Sequence, residues 1–169
     1  MRTVPLAGAA AALVLGVAGA VAVSAASQAA GPSPAKSQTL VFKVVFSPFE
    51  LVQANNVINP NSPFALGDEV VFHDQLFAHG QHVGDDVGSC VIVDLTPELP
   101  NNCSSVIRLP SGNITTQFST SPGPAPKPLA LTGGTGIYRN IGGDGTLVEF
   151  GSVHGKLTLH VLSLVARGG

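Results

Sequence analysis

The chain has 169 residues, enough for one domain with short appendages, and it is 44% hydrophobic, 11% charged and net −2 in charge. No basic patch exists, so nucleic acid is excluded as a partner on electrostatic grounds. Beyond the first thirty residues no run reaches the roughly eighteen apolar residues of a helical membrane span.

Arg2 supplies a small positive start, and Leu6–Val23 is an apolar run of Ala, Leu, Val and Gly. Ser24–Ala30 then offers small-residue cleavage sites such as Ser27-Gln28-Ala29. This pattern reads as a signal peptide over residues 1–29, with a retained membrane anchor as the alternative, and it predicts a secreted protein with no membrane attachment after cleavage. Seven Lys/Arg then face ten Asp/Glu, a net charge near −3. AGPSPAKS, residues 30–37, reads as a flexible linker. The folded domain is assigned to residues 38–166.

From Gln38 the pattern becomes short β-branched runs separated by turn residues. Leu40, Phe42, Val44 and Phe46 alternate with Thr39, Val41, Lys43 and Val45, which predicts a strand over 38–46 with one very apolar face. VQANNVINPNSPF (52–64) reads as a loop rich in Asn and Pro. Further strands are predicted over 69–77, 88–95, 104–109, 113–118, 128–132, 146–150 and 156–164, giving eight, with no helical periodicity after the leader. Regular short strands with Gly/Pro turns mean an all-β sandwich or barrel. A closed barrel, filled inside and covered outside by a neighbouring subunit, accounts for strands that are apolar on both faces, and closure removes exposed edges. Cys90 and Cys103 are the only cysteines. In an exported chain such a pair predicts a disulfide, the alternative being two buried thiols.

LTGGTGIYRNIGGDGTLVEF (131–150) is dense in glycine, which permits positive φ at turns and close backbone approach in strands. It is expected to make two corners of a curved sheet, with Ile137 and Tyr138 packed between them. GGTGIYRNIGGDG resembles the GGTG-x-[Phe/Tyr] segment of dirigent proteins and allene oxide cyclases. LGDEVVFHDQL (66–76) followed by VGDDVGSCVIV (83–93) is similar to the paired-strand signature of the same families. The resemblance covers about residues 64–164. It implies an eight-stranded antiparallel β-barrel, usually trimeric, with an apolar cavity.

In the strand from Glu69, Val70, Phe72, Asp74 and Leu76 share one face, so Asp74 is a lone carboxylate among apolar neighbours. Such a group tends to a raised pKa and suits acid–base work; capping of a strand end is the plainer role. By resemblance Asp74 matches the second acid of the dirigent Asp-Asp pair, where cavity acids help protonate a quinone methide; His73 stands at the first position. Arg139 matches an arginine that often follows the GGTG-x-Phe motif, and is a candidate anchor for an anionic group or partner for Asp74; a solvated turn arginine is the more ordinary role. Tyr138 and Phe72 complete the candidate ligand-binding set, although a core role for Tyr138 is the more ordinary one. His160, beside Thr158 and Leu162 in the last strand, is a second candidate proton carrier if it faces the cavity; a satisfied core histidine is the plainer role. The allene oxide cyclases rely on a first-strand glutamate that LVFKVVFS (40–47) lacks, which argues against that reaction.

The run HDQLFAHGQHVGDD (73–86) gathers three histidines and three aspartates, but it reads as an exposed hairpin loop without zinc-ligand spacing, so no metal is assigned. No cofactor fingerprint is present. The expectation is a secreted barrel, as a homotrimer, holding a small hydrophobic molecule and steering a cyclisation, isomerisation or stereoselective coupling; the alternatives are a non-catalytic carrier or a filled structural barrel.

Overall fold

The computed structural model describes residues 36–54 and 64–163. The leader, most of the linker and the end of the assigned domain, residues 164–166, lie outside the described residues. The chain forms β1 (Lys36–Val45), β2 (Glu50–Val52), β3 (Glu69–Ala78), β4 (Gln81–Ile92), β5 (Asn101–Leu109), β6 (Gly112–Thr120), β7 (Lys127–Gly134), a 3-10 turn (Gly136–Tyr138), β8 (Ile141–Phe150) and β9 (His154–Ser163). The hydrogen-bonded order is β1-β9-β8-β7-β6-β5-β4-β3, and β1 also pairs with β3, so eight antiparallel strands close a barrel. β1 starts two residues inside the span read as linker.

The short β2 continues the edge that β1 leaves. Lys43–Val45 pair with Gln75–Phe77, and Glu50–Val52 pair with Glu69–Val71. The chain leaves the ladder between them at Pro48, which has no N–H to donate. That break frees Ser47 to turn its polar atoms onto β3.

Two expectations need correction. The run from His79 to Asp86 is not a loop: β3 and β4 meet in a two-residue hairpin at His79-Gly80, both at positive φ (50° and 79°), as a right-handed twisted hairpin favours. β4 therefore starts at Gln81 rather than near Gly88. Likewise β8 starts at Ile141 rather than Thr146, so the second glycine group lies within a strand instead of at a corner. Gly143, at φ 131°, shows why: a Cβ there would collide with the His160 carbonyl oxygen of β9. Glycine lets the two strands close up.

Alternation of side chains sorts each strand into an inner and an outer face. Val44, Leu76, Ile107, Ile114, Leu157 and Leu159 point inward and are at most 2% exposed. Burial of each such side chain stabilises the barrel by about 1.5–3 kcal/mol. The register puts this apolar plug toward the β7–β8 end of the lumen, where Tyr138 and Ile141 join it. Toward the other end, the inner residues Phe46, Phe72, Phe118 and Leu147 are only half-buried. This second half is looser only in that these four side chains keep some exposure: Phe46, Phe118 and Leu147 still pack against the core, and Ile92, Cys103 and Lys127 are buried there.

Candidate functional site

Acidic side chains gather in the looser half. Asp74 of β3 lies directly opposite Asp86 of β4, and Asp86 in turn opposite Ile107 of β5, so both carboxylates share the inner face with the plug. Asp74 is buried, and its Oδ1 accepts hydrogen bonds from the Ser47 backbone N–H (3.0 Å) and the Ser47 hydroxyl (3.3 Å). The same hydroxyl accepts from the His73 backbone N–H at 3.2 Å, which fixes the segment after β1 against β3. Burial pushes the Asp74 pKa up; the two Ser47 bonds and the His73 charge pull it down less strongly, while Glu149 adds to the rise.

Asp86 is the more perturbed of the two. Its Oδ1 is fully enclosed and has no hydrogen-bond partner. Burial pushes its pKa up to about 6, against a smaller lowering by the Ser105 hydroxyl and a further rise from the Asp74 charge. The Ser105 hydroxyl also lies 2.8 Å from Thr116 Oγ1, and it can accept there while donating to Asp86. Near the open end, buried Lys127 donates from Nζ to the Gly123 carbonyl (2.6 Å) and pairs with Glu149 Oε2 at 3.2 Å. A third buried acid, Asp68, is structural: its carboxylate accepts the N–H groups of Ala54 (2.9 Å) and Ala65 (2.8 Å), tying β2 to the start of β3.

Among the residues singled out from sequence, Asp74 and Phe72 sit together on the inner wall, two positions apart in β3. His160 does not join them. Leu157, Leu159 and Val161 are its strand's buried residues, so His160 points outward and is exposed, with Nδ1 3.4 Å from Thr39 Oγ1. A proton-carrying role inside the barrel is therefore withdrawn. Arg139 is also exposed, where its backbone N–H closes the 3-10 turn on the Gly136 carbonyl at 3.3 Å, and no Asp74–Arg139 ion pair occurs among the described residues. Tyr138 belongs to the plug at the opposite end of the lumen, and burial raises its hydroxyl pKa. Cys90 and Cys103 face each other across β4 and β5 and form a disulfide, with Cα atoms 4.0 Å apart.

Sequence reasoning missed Ser47, Asp86, Lys127 and Glu149. The signal for Asp86 was the His79-Gly80 dipeptide: a two-residue turn there sets the register that brings Asp86 opposite Asp74. The histidines of the same run lie on the other side of the wall. Asp85 Oδ2 is 3.1 Å from Arg108 Nη2, and Asp85 Oδ1 is 3.2 Å from His82 Nε2 and 3.5 Å from His73 Nε2. No group of three or more metal-ligating side chains is arranged to hold an ion among the described residues.

Two open grooves of about 460 and 480 Å³ mark the barrel surface, one at the β3–β4 turn beside Val41 and Lys43, the other across β3–β6 beside Val71, Ser89 and Ser104. Neither includes Asp74 or Asp86 in its lining.

Comparison with known proteins gives a consistent fold. The allene oxide cyclase barrel-like domain family matches residues 51–157. Among solved structures, a pyocyanin demethylase is 28% identical, covers 73% of this chain and 99% of its own, and superposes with a TM-score of 0.65. The Diels-Alderase AbmU from Streptomyces koyangensis is 14% identical over 78% of this chain and 71% of its own, with a TM-score of 0.59. AbnU, an exo-specific intermolecular Diels-Alderase, is 16% identical over 74% of this chain and 98% of its own, with a TM-score of 0.53. A search of the curated proteins finds no match.

Proposed function

The chain belongs to the allene oxide cyclase barrel-like family, and from that premise we propose that it binds a small hydrophobic molecule in the looser half of the lumen and directs a cyclisation, isomerisation or stereoselective coupling there. The single observation that carries this reading is the pair of inward carboxylates, Asp74 and Asp86, opposed across β3 and β4 beside half-buried phenylalanines. A barrel built only for stability has no use for two inward acids, one buried and the other with an enclosed oxygen, since each is expensive to desolvate.

The two acids divide the labour of proton transfer. Asp86 holds its proton to about pH 6 and is the donor; Asp74, whose ionised form Ser47 supports with two hydrogen bonds, is the acceptor. Phe46, Phe72 and Phe118 hold the apolar body of the ligand in one conformation, and restriction of this kind supplies rate and selectivity without a cofactor. The names of the solved relatives, a demethylase and two Diels-Alderases, describe different reactions, so the shared barrel supports a ligand-holding role and leaves the chemistry to the side chains. Export by the leader and assembly as a homotrimer belong to the same proposal.

Native mass spectrometry of the purified protein tests it, with a retained small apolar molecule and a trimer mass as the expected result. With that molecule in hand, Asp74→Asn should lower its turnover about 10²–10⁴-fold while changing affinity little. Retained ligand without any turnover by the wild-type protein would make the barrel a carrier, and an empty monomer would count against the reading altogether.

A further inference from the structure

The charges on the inner wall do not balance. Asp74 on β3, Asp86 on β4 and Glu149 on β8 face the lumen, and Lys127 on β7 is the one cation on the inner face among the described side chains. That ammonium is already engaged by Glu149 and the Gly123 carbonyl. The remaining strands present uncharged inner residues: Phe42 and Val44 on β1, Ser105 and Ile107 on β5, Thr116 and Phe118 on β6, Leu157 and Leu159 on β9. Asp74 has the two Ser47 hydrogen bonds and the outer-wall His73 charge for support, and Asp86 has the Ser105 hydroxyl, while its Oδ1 has no partner.

We infer that the molecule this lumen selects carries a cationic nitrogen on a compact apolar body. The inference rests on the reading of the lumen as the binding site and adds the class of ligand. A neutral apolar guest would add apolar surroundings to two carboxylates that have no cation beside them on the inner wall and make their isolation worse. An anion would meet like charge. A cation supplies the missing countercharge in a region of low dielectric, where it acts on both carboxylates without needing to touch the enclosed Oδ1. The phenylalanine faces of Phe46, Phe72 and Phe118 suit both parts of such a molecule, since aromatic rings attract cations and pack against apolar groups. The elevated Asp86 pKa agrees with this, because the empty lumen balances its charge by retaining a proton. Binding of a cation therefore drives that proton out.

Three probes with one ring system test the idea on the full chain: 1-naphthylmethylammonium, 1-naphthylmethanol and 1-naphthoate, titrated calorimetrically near pH 7.5 and pH 5. Near pH 7.5 the ammonium should bind about tenfold more tightly than the alcohol, with the naphthoate weakest, and the gap should narrow near pH 5. Near pH 6, titration in two buffers of different ionisation heat should show about half a proton released per ammonium bound and none for the alcohol. Asp86→Asn, which removes an enclosed charge and so poses no threat to folding, should abolish the proton release and shrink the ammonium's advantage to the share that Asp74 supplies. An alcohol that binds at least as well as the ammonium, a preference undiminished by Asp86→Asn, or binding without proton release overturns the inference and leaves the lumen reading standing. If none of the three probes binds, the lumen reading fails and the inference falls with it.

Discussion

Asp85 and Asp86 are consecutive residues of β4 on opposite sides of the barrel wall, and the wall gives them opposite properties. Asp85 faces outward, among Arg108, His73 and His82. Its slight desolvation pushes its pKa up, but the His82 hydrogen bond and the charges of Arg108, His73 and His82 outweigh that and hold it below the usual value. Asp86 faces inward with no cation beside it, and burial dominates. One strand thus carries a stabilised surface anion and a strained interior acid. Period-two alternation alone decides which is which, so the register of the β3–β4 hairpin sets which of the two carboxylates is enclosed.

The largest expected effect tests the packing that creates the inner environment. Ile107 lies opposite Asp86 and is 0% exposed. Ile107→Ala should destabilise the barrel by about 2–5 kcal/mol, through lost burial and the cavity left behind. Water admitted to that gap should lower the Asp86 pKa toward its ordinary value. Urea denaturation measures the first effect and carboxyl carbon NMR titration the second; a full-sized stability loss with an unmoved Asp86 would show that some other contact sets its pKa.

Asp86→Asn sharpens the comparison directly. The folded protein holds the Asp86 proton to about pH 6, whereas the unfolded chain releases it near 3.8. The stability associated with that proton is therefore complete below about pH 3.8 and is lost as pH rises through about 6, a difference on the order of 3 kcal/mol. Asparagine does not ionise, so the variant should be more stable than the wild type by about that amount near pH 7.5 and indistinguishable from it below pH 4. Denaturation curves at the two pH values decide it. A gain of equal size at both would point to a packing effect instead of a charge.

Much of this contrast was legible in the sequence, and the parts that were not have physical causes. Alternation in β1 and β3 was strong enough to place Phe42, Val44 and Asp74 inward, and the two cysteines sit opposite each other in the disulfide that their pairing predicted. Asp86 was hidden because His79-Gly80 looks like the middle of a polar loop, although the same dipeptide also permits the tight turn that the structure uses. His160 was misjudged because Leu162 makes the outer face of β9 look apolar, whereas Leu157, Leu159 and Val161 already form a complete inner row. The Lys127–Glu149 pair joins residues that are not directly opposite in the register, since Lys127 pairs with Leu147 and Glu149 with Gly155. A diagonal contact of that kind depends on barrel curvature, which one sequence does not encode in a readable pattern.

Asp85→Asn should give the smallest effect, with the opposite dependence on pH. A folded-state pKa below the unfolded value means that Asp85 contributes stability above about pH 3.8, and that the contribution is lost as pH falls through the lower folded value. Its partners are largely solvated, Arg108 at 46% exposure and the histidines at 48% and 61%, and the histidines assist only when protonated. Exposed pairs of this kind contribute about 0–1 kcal/mol, and salt screens them within about 10 Å at 0.1 M ionic strength. The substitution should therefore destabilise the protein slightly near neutral pH and not at all in strong acid, with most of the effect erased by high salt. Asp86→Asn should keep its full effect in the same salt, because mobile ions do not reach the inner wall. A double-variant series in low and high salt compares the two residues under identical conditions. Equal salt sensitivity at both positions would mean that Asp86 is open to bulk solvent, and the division between the two faces of β4 would then be wrong.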